Sequence, residues 1–548
     1  MTEKFTPVKR LWRLLSTYRR EIRQIYTLAV LIGFVNLTLP LGIQAIVNFI
    51  QTGEITVSWV LLVCFVLIGI AITGLLQVLQ LRIVENIQQD LFSRSAFEFA
   101  YRIPKITFLE LDRTHAPELV NRFFDTLTIQ KGLPKILIDF SLAAFQIIFG
   151  LILLSIYSPY FVLLGISLIV ILYIIFQVTG PRGMRTSLKE SKYKYNLAHW
   201  LQEIARVNRS FKLNTSSNLH LTRTDDIATK YLTSRENHFK VLLNQFQMFV
   251  GFKVIVAAAL LLLGGYLVFE EQMNIGQFVA AEIIILLIIN SVEKILRVIE
   301  TIYDVLTALE KIGFVTELKL DRNVGVIEIS DQKGYSIKTN EIKFQFPMDD
   351  NPKIDNLSFE IPSHSKVYLT GNSGSGKTLL MQILAGIHTI DEGEFYINDI
   401  PFSNYNKEGL YKHIGLTFPS NQLFEGTIKE NITLGREIEY KKLLGMINYL
   451  ELYNFLAHQP KGLDTEIDSG GRRLPGSIIQ KLLLARVLIG SPRLMLLENP
   501  LSSVESEDKK RIIDFIFEKF EYSTIIVISD FYYWKERCNQ IINLSKLS

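Results

Sequence analysis

Cysteine is scarce. Cys64, inside an apolar run, and Cys538, near the C-terminus, are the only two in 548 residues. That excludes a disulfide framework, offers no metal-ligand spacing and suits a reducing compartment for the soluble part. A surplus of one charge is missing too: 58 Lys and Arg against 54 Asp and Glu leave +4. So even a balance implies no bulk polyanion partner, and nucleic acid is not expected. A cleavable signal peptide is also lacking, because the apolar run behind the basic N-terminus is too long for one.

What abounds is apolar sequence, 49% of the chain, with the excess in the first 300 residues. Six stretches, at about 26–50, 57–82, 134–157, 159–180, 247–269 and 275–298, reach the roughly 20 residues that cross a bilayer. Six in succession are not core helices, so residues 1–320 read as a polytopic α-helical membrane domain. Charge sets its orientation. Lys4, Lys9, Arg10, Arg13, Arg19, Arg20 and Arg23 precede the first span, whereas the connections 51–56, 157–160 and 270–274 hold no Lys or Arg. The connections 83–133 and 181–246 are long and basic. By the positive-inside rule both termini and the C-terminal domain are cytoplasmic, in an inner or plasma membrane. Residues 6–24 read either as a basic amphipathic helix at the inner surface or as an extension of the first span. The ionisable residues within spans, Asp139, Lys253, Glu293 and Lys294, lie near inner ends, where snorkelling explains them.

After residue 320 the composition turns polar, and over 323–548 short runs such as Lys366–Thr370, Arg493–Leu497 and Thr524–Ile528 alternate with helical stretches. That is the pattern of an α/β nucleotide-binding domain. Within it Gly371-Asn372-Ser373-Gly374-Ser375-Gly376-Lys377-Thr378, followed by Leu379, fits G-x-x-x-x-G-K-[ST] between a strand and a helix. Glycines let backbone N–H groups converge on phosphates at a helix N-terminus. Lys377 is then expected to reach the β- and γ-phosphates of ATP, and the Thr378 hydroxyl to ligate Mg²⁺.

Six spans followed by a P-loop domain, at these lengths and in this order, resemble a half-transporter of the ATP-binding-cassette exporter superfamily. Asp112–Arg122 is similar to its first intracellular loop, and Phe211–Leu221 lies where the second is expected. Leu263–Val268 with Ile275–Ala281 resembles the last hairpin of peptide and protein exporters, as in type I secretion. Thr465–Gly471 resembles the exporter-specific loop, with Ser469 at its usual acidic position. The chain begins almost directly with the membrane region, so no leader peptidase is expected ahead of it.

Carried over residue by residue, the resemblance makes Phe346 the adenine-stacking aromatic and Glu498 a one-methylene-longer substitute for the metal-orienting aspartate. It also exposes losses. Pro419 stands at the metal-contacting glutamine, with Gln422 three residues late. The signature reads Leu474-Pro475-Gly476-Ser477-Ile478 instead of L-S-G-G-Q. Asn499 replaces the glutamate that polarises water, and an amide cannot accept its proton near neutral pH. Asp530 replaces the switch histidine, setting a carboxylate where a donor to the γ-phosphate belongs. No catalytic residue is therefore assigned. The resemblance implies a subunit that binds ATP and Mg²⁺ but hydrolyses weakly or not at all. Its partners would be a second half-transporter, as a homodimer or heterodimer, membrane lipid, and an exported peptide, protein or amphiphile. Two alternatives stay open: a non-transporting ATP-sensing scaffold, and an active exporter in which Gln422 or Glu505 moves in.

Overall fold

The computed structural model describes all residues except 1–5, 53–56, 114–115, 322–324, 329–333, 348 and 547–548. Outside the described residues therefore lie Lys4 of the basic N-terminus, most of the first short connection, Thr114 and His115 of the first intracellular loop, and residues 322–323 at the domain junction. The backbone divides into two compact units: Met1–Ile106 with Glu110–Leu320, and Thr107–Leu109 with Asp321–Ser548.

The first unit is helical: α1 (Pro7–Thr17), α2 (Arg19–Val35), α3 (Thr38–Thr52), α4 (Val57–Arg102), α5 (Phe108–Arg113, partly in the second unit), α6 (Ala116–Asn121), α7 (Asp125–Pro134), α8 (Phe140–Tyr157), α9 (Tyr160–Arg206), α10 (Asn208–Leu213), α11 (Leu219–Phe269) and α12 (Ile275–Thr316). Six helical segments among the described residues are long and apolar enough to cross a membrane. They are inside out relative to a water-soluble bundle. On α4, Val60, Leu61, Phe65, Leu67 and Leu75 are exposed, while Gln80 is buried and donates to the Ile25 carbonyl at 2.9 Å. A polar group in hydrocarbon must find an internal partner, and an apolar one need not. α12 carries the core, with Ile284, Ile285, Ile288 and Val292 buried against Phe249, Phe252 and Val256 of α11.

Local chemistry explains several ends and breaks. Asn274 and Gln277 close a reciprocal capping box, at 2.7 and 2.9 Å, that starts α12. The six-span reading holds, with details the hydropathy did not carry. The stretch 6–24 is two helices, because the chain breaks at Tyr18, whose hydroxyl is held by Asp90 at 2.8 Å. The first span is interrupted at Asn36–Leu37, and a π-helical turn, Lys135–Asp139, follows Pro134. Lys253 pairs with Glu293 at 2.9 Å, and Arg297 bonds the same carboxylate, so these charges are matched.

In the second unit, β1 (Ile337–Phe344), β2 (Ile354–Ile361), β4 (Glu392–Ile397) and β5 (Ile400–Pro401) form an antiparallel sheet in the order β2-β1-β4-β5. A parallel sheet, β11-β3-β10-β9-β6, is built from β3 (Lys366–Thr370), β6 (Ile414–Thr417), β9 (Leu494–Glu498), β10 (Thr524–Ile528) and β11 (Gln540–Asn543). A short pair, β7 (Gly426–Thr427) with β8 (Glu466–Ile467), stands apart. All of β10, and Leu494–Leu497 of β9, are buried, as expected of parallel strands covered on both faces. Two cores flank these sheets. One gathers the helix α13 (Lys377–Leu384) under the antiparallel sheet, and the other surrounds Trp534 and the helix Gly476–Leu488.

Candidate nucleotide-binding site

The site begins at the carboxyl end of β3. Between Thr370 and α13 the chain makes its Gly-rich turn, with Gly374 at φ +81 and Gly376 at φ +83. Only glycine takes these values without strain. A Cβ on Gly374 would meet nothing within 4 Å, so that stretch is an open cradle. Gly376 lies 3.5 Å, measured from such a Cβ, from the Lys353 carbonyl, and the Lys353 N–H is bonded to Phe344 at 2.9 Å. The end of β1 that leads to Phe346 therefore runs beside the loop. The Phe346 ring stands edge-on to Phe344 and to His388, with centroids 5.0 and 5.8 Å away.

Lys377 Nζ donates to the Gly371 and Asn372 carbonyls at 2.9 and 2.8 Å, folding its ammonium back over the loop. The Asn372 N–H is held by Ser545 Oγ at 2.8 Å. Thr378 Oγ1 donates to Glu498 Oε1 at 2.7 Å across 120 residues of sequence. β9 makes that possible by ending on Glu498, level with Ile528 of β10. Two polar oxygens of this assembly, Glu498 Oε2 and Ser375 Oγ, are buried with no hydrogen-bond partner. Such orphans cost about 1–3 kcal/mol each unless a ligand satisfies them. Among the described residues no group of three His, Cys, Asp or Glu could enclose a metal ion. Thr378 and Glu498 thus fit a hard cation that takes most of its oxygens from phosphates and water, the habit of Mg²⁺.

Asn499, Asp530 and Pro419 each follow a strand of the parallel sheet. Asn499 follows β9 at φ +44, a left-handed conformation that asparagine tolerates, and its N–H donates to Ile528 at 2.8 Å. Asp530 follows β10, beside Ser529, whose carbonyl accepts from the Tyr368 hydroxyl at 2.5 Å. Burial first and the Asp530 charge second push the Tyr368 phenol up, which marks the negative potential there. Pro419 turns the chain after β6. What is fixed at Gln422 is its carbonyl, taken by Arg486 at 3.2 Å, rather than an approach of its amide. Pro475 caps the helix Gly476–Leu488 with no side-chain bond, so the segment Leu474–Ile478 offers no hydroxyl at that end except Ser477.

Sequence reasoning missed the supports. Gln480 bonds Ser502 Oγ at 2.6 Å and the Ser503 N–H at 2.8 Å, bracing the turn after Asn499. Arg486 also holds Asn431, at 2.8 and 3.0 Å. Neither pairing has a local signal. One prediction arises here. Thr378→Val should strip Glu498 of its remaining partner, lowering nucleotide-free stability by about 1–3 kcal/mol and abolishing the Mg²⁺ dependence of ATP binding. Thr378→Ser should keep both. Thermal unfolding and ATP titration with and without chelator are the measurements, and equal behaviour of the two variants would refute the pairing's role.

A helical unit with six segments long and apolar enough to cross a membrane, followed by a P-loop domain with a parallel sheet, defines the class: a membrane protein with a nucleotide-binding type of domain. The chain belongs to the ABC transporter family. Residues 25–292 match the ABC transporter transmembrane region and residues 354–502 match the family described as ABC transporter, between them most of the chain. One domain of each kind lies within these residues. The chain is 26% identical over 275 residues to the ATP-dependent lipid A-core flippase of Burkholderia orbicola, covering 50% of this chain and 46% of that one. It is 22% identical over 536 residues to a probable microcin-H47 secretion/processing ATP-binding protein of Escherichia coli, covering 93% of this chain and 73% of that one. The alignment thus spans less than half of the flippase's length. A bacterial Atm1-family ABC exporter solved with ATP bound has the same fold, with a TM-score of 0.82 over 97% of this chain and 94% of that one at 17% identity.

Proposed function

We propose that this half-transporter binds Mg·ATP, hydrolyses it weakly or not at all by itself, and works as one half of a dimeric exporter. One observation carries the reading. The Thr378–Glu498 pair stands assembled at 2.7 Å beside the loop, while the next residue along, Asn499, offers an amide where a base is needed. Binding chemistry is retained and proton-transfer chemistry is gone. In this reading Lys377 and the loop amides take the phosphates, Thr378 and Glu498 orient the cation, and Phe346 offers the adenine a π-face. Both termini and the nucleotide-binding unit face the cytoplasm, on the charge asymmetry of the connections. Nucleotide would hold two halves together, and closure of the nucleotide domains would shift the membrane helices between two states. The cargo class is an amphiphile or peptide, in keeping with relatives named for a lipid A-core and for a microcin.

Gentle extraction of the tagged chain from its native membrane, followed by sizing and identification of what co-purifies, tests this. The expected result is a second half-transporter carrying the glutamate and signature residues that this chain lacks. A homodimer with steady ATP turnover would overturn the reading.

A further inference from the structure

The last span, α12, is covered on three sides, and close approaches show by which helices. A Cβ on its Gly276 would lie 2.2 Å from Asn48 Oδ1 of α3. One on Gly264 of α11 would lie 3.0 Å from the Phe278 ring, and one on Gly150 of α8 would lie 3.2 Å from Ile284 and Ile288. The fourth side carries Glu282, Leu286 and Asn290, which recur four residues apart and are all exposed. Hydropathy hides this face, because the residues between Glu282 and Asn290 are all Ile or Leu.

Lipid does not account for a face of this kind. Other spans expose apolar side chains near the same boundary, such as Leu163, Ile166 and Val170 of α9 and Leu261 and Leu262 of α11. Ile275 to Glu282 is about 10 Å at the helical rise, which places the carboxylate well inside a hydrocarbon layer about 30 Å thick. A glutamate lacks the long stem with which lysine and arginine snorkel out. Charged side chains at such depth turn instead to a water-filled cavity and a partner of opposite sign. Among the described residues nothing pairs with Glu282 by hydrogen bond or ion pair. The nearest cation further along α12, Lys294, is about 18 Å away at the helical rise. Lys253 and Arg297 are both engaged by Glu293.

We propose that Glu282 selects the cargo by charge, taking an ammonium or guanidinium group of an exported amphiphile or peptide while Leu286 covers apolar surface beside it. The inference rests on the exporter reading and goes beyond it by fixing the sign of the cargo. Charge complementarity chooses this occupant. An anionic cargo would be repelled, and a neutral one would leave the carboxylate unpaired. A second copy of this chain packed symmetrically on the same face would bring another carboxylate and no cation. The apolar neighbour argues for a cation carried on a greasy body and against a small hydrated ion, because Leu286 is 54% exposed on the same face.

The test takes the complex as extracted from its native membrane and reconstitutes it in phosphatidylcholine vesicles with Mg·ATP. Three photoreactive probes share one alkyl chain bearing a diazirine and differ only at the head: a primary ammonium, a hydroxyl or a sulfate. Adducts are mapped by mass spectrometry, and entry of the ammonium probe into the vesicle lumen is followed in the same preparations. The ammonium probe is expected to label residues 279–290 most. Glu282→Gln should cut that labelling on the order of tenfold, the worth of one charge-assisted hydrogen bond. Glu282→Asp should keep most of it, and the hydroxyl probe should label wild type and Glu282→Gln alike, which shows that the variant is folded. Equal labelling of α12 by the three probes, or equal losses in the Gln and Asp variants, would overturn the proposal. Transport that ignores both head charge and Glu282 would overturn it while sparing the exporter reading. Labelling that depends on Glu282 without any transport would uphold the site and place the failure in the exporter reading.

Discussion

Restoring Asn499→Glu together with Asp530→His is expected to raise steady ATP hydrolysis by about 10²–10⁴-fold, the usual worth of a positioned base. The comparison belongs in a chain whose signature segment has first been restored by Pro475→Ser, Ser477→Gly and Ile478→Gln, so that a paired site faces a complete partner. The unmodified chain should show turnover at background. The geometry makes the base position specific. Asn499 is fixed by its N–H to Ile528 at 2.8 Å and sits at φ +44, so a glutamate there inherits its place at the strand ends. It also inherits strain on the order of 1 kcal/mol, since a longer side chain prefers the left-handed region less than asparagine does. Asp530 changes as well, because in the proposed reading its carboxylate faces the γ-phosphate and opposes the charge that develops there. Initial-rate assays on the reconstituted proteins decide the matter. If the unmodified chain already turns over as fast as the restored one, catalysis uses another residue, such as Glu505, and the hydrolysis-deficient reading fails.

How much of this was legible beforehand follows from how local each signal is. The loop Gly371–Thr378 could be read because its glycines, lysine and threonine are consecutive and the motif carries its own strand and helix. The six spans could be read because hydropathy is a property of a window, and lipid exposes that surface instead of hiding it. Tyr18 was opaque: nothing near it says that its hydroxyl meets Asp90, 72 residues away, and that bond is where α1 stops. Pro181 misleads in the opposite direction, since a proline after a span suggests an end, yet α9 runs through it from Tyr160 to Arg206. Neighbouring helices can absorb the lost hydrogen bond.

Inside the nucleotide unit the same division recurs. The family resemblance pointed to Glu498, but its partnership with Thr378 depends on which strands become neighbours. Parallel order β3-β10-β9 is a crossover pattern that no window of sequence contains. Arg486 illustrates the cost of that blindness. Its guanidinium takes the Gln422 carbonyl and both oxygens of Asn431, so the segment after β6 is braced by its main chain. A late glutamine looked available as a substitute for Pro419, whereas the bond that the structure gives that residue engages its backbone.

Lys377→Ala is expected to weaken ATP binding by about 10²-fold or more, the effect of two charge-assisted hydrogen bonds at roughly 1.5–3 kcal/mol each with imperfect additivity. The ammonium donates to the Gly371 and Asn372 carbonyls, at 2.9 and 2.8 Å. Phosphate binding therefore exchanges two neutral acceptors for anionic ones, which sets the expected loss at the lower end of that range. Removing the lysine also loosens the loop, which a second variant can measure. Ser545→Ala deletes the bond to the Asn372 N–H while leaving every phosphate-facing group in place, so it should cost less than tenfold in affinity. The readout is nucleotide-dependent thermal stabilisation, worth about 2.7 kcal/mol when ATP stands at a hundred times its dissociation constant. Wild type and Ser545→Ala should both show it, and Lys377→Ala should not at the same concentration. If Lys377→Ala were stabilised as strongly as wild type, the Gly371–Thr378 loop would not be where nucleotide binds, and the case for retained binding beside abandoned hydrolysis would fall with it.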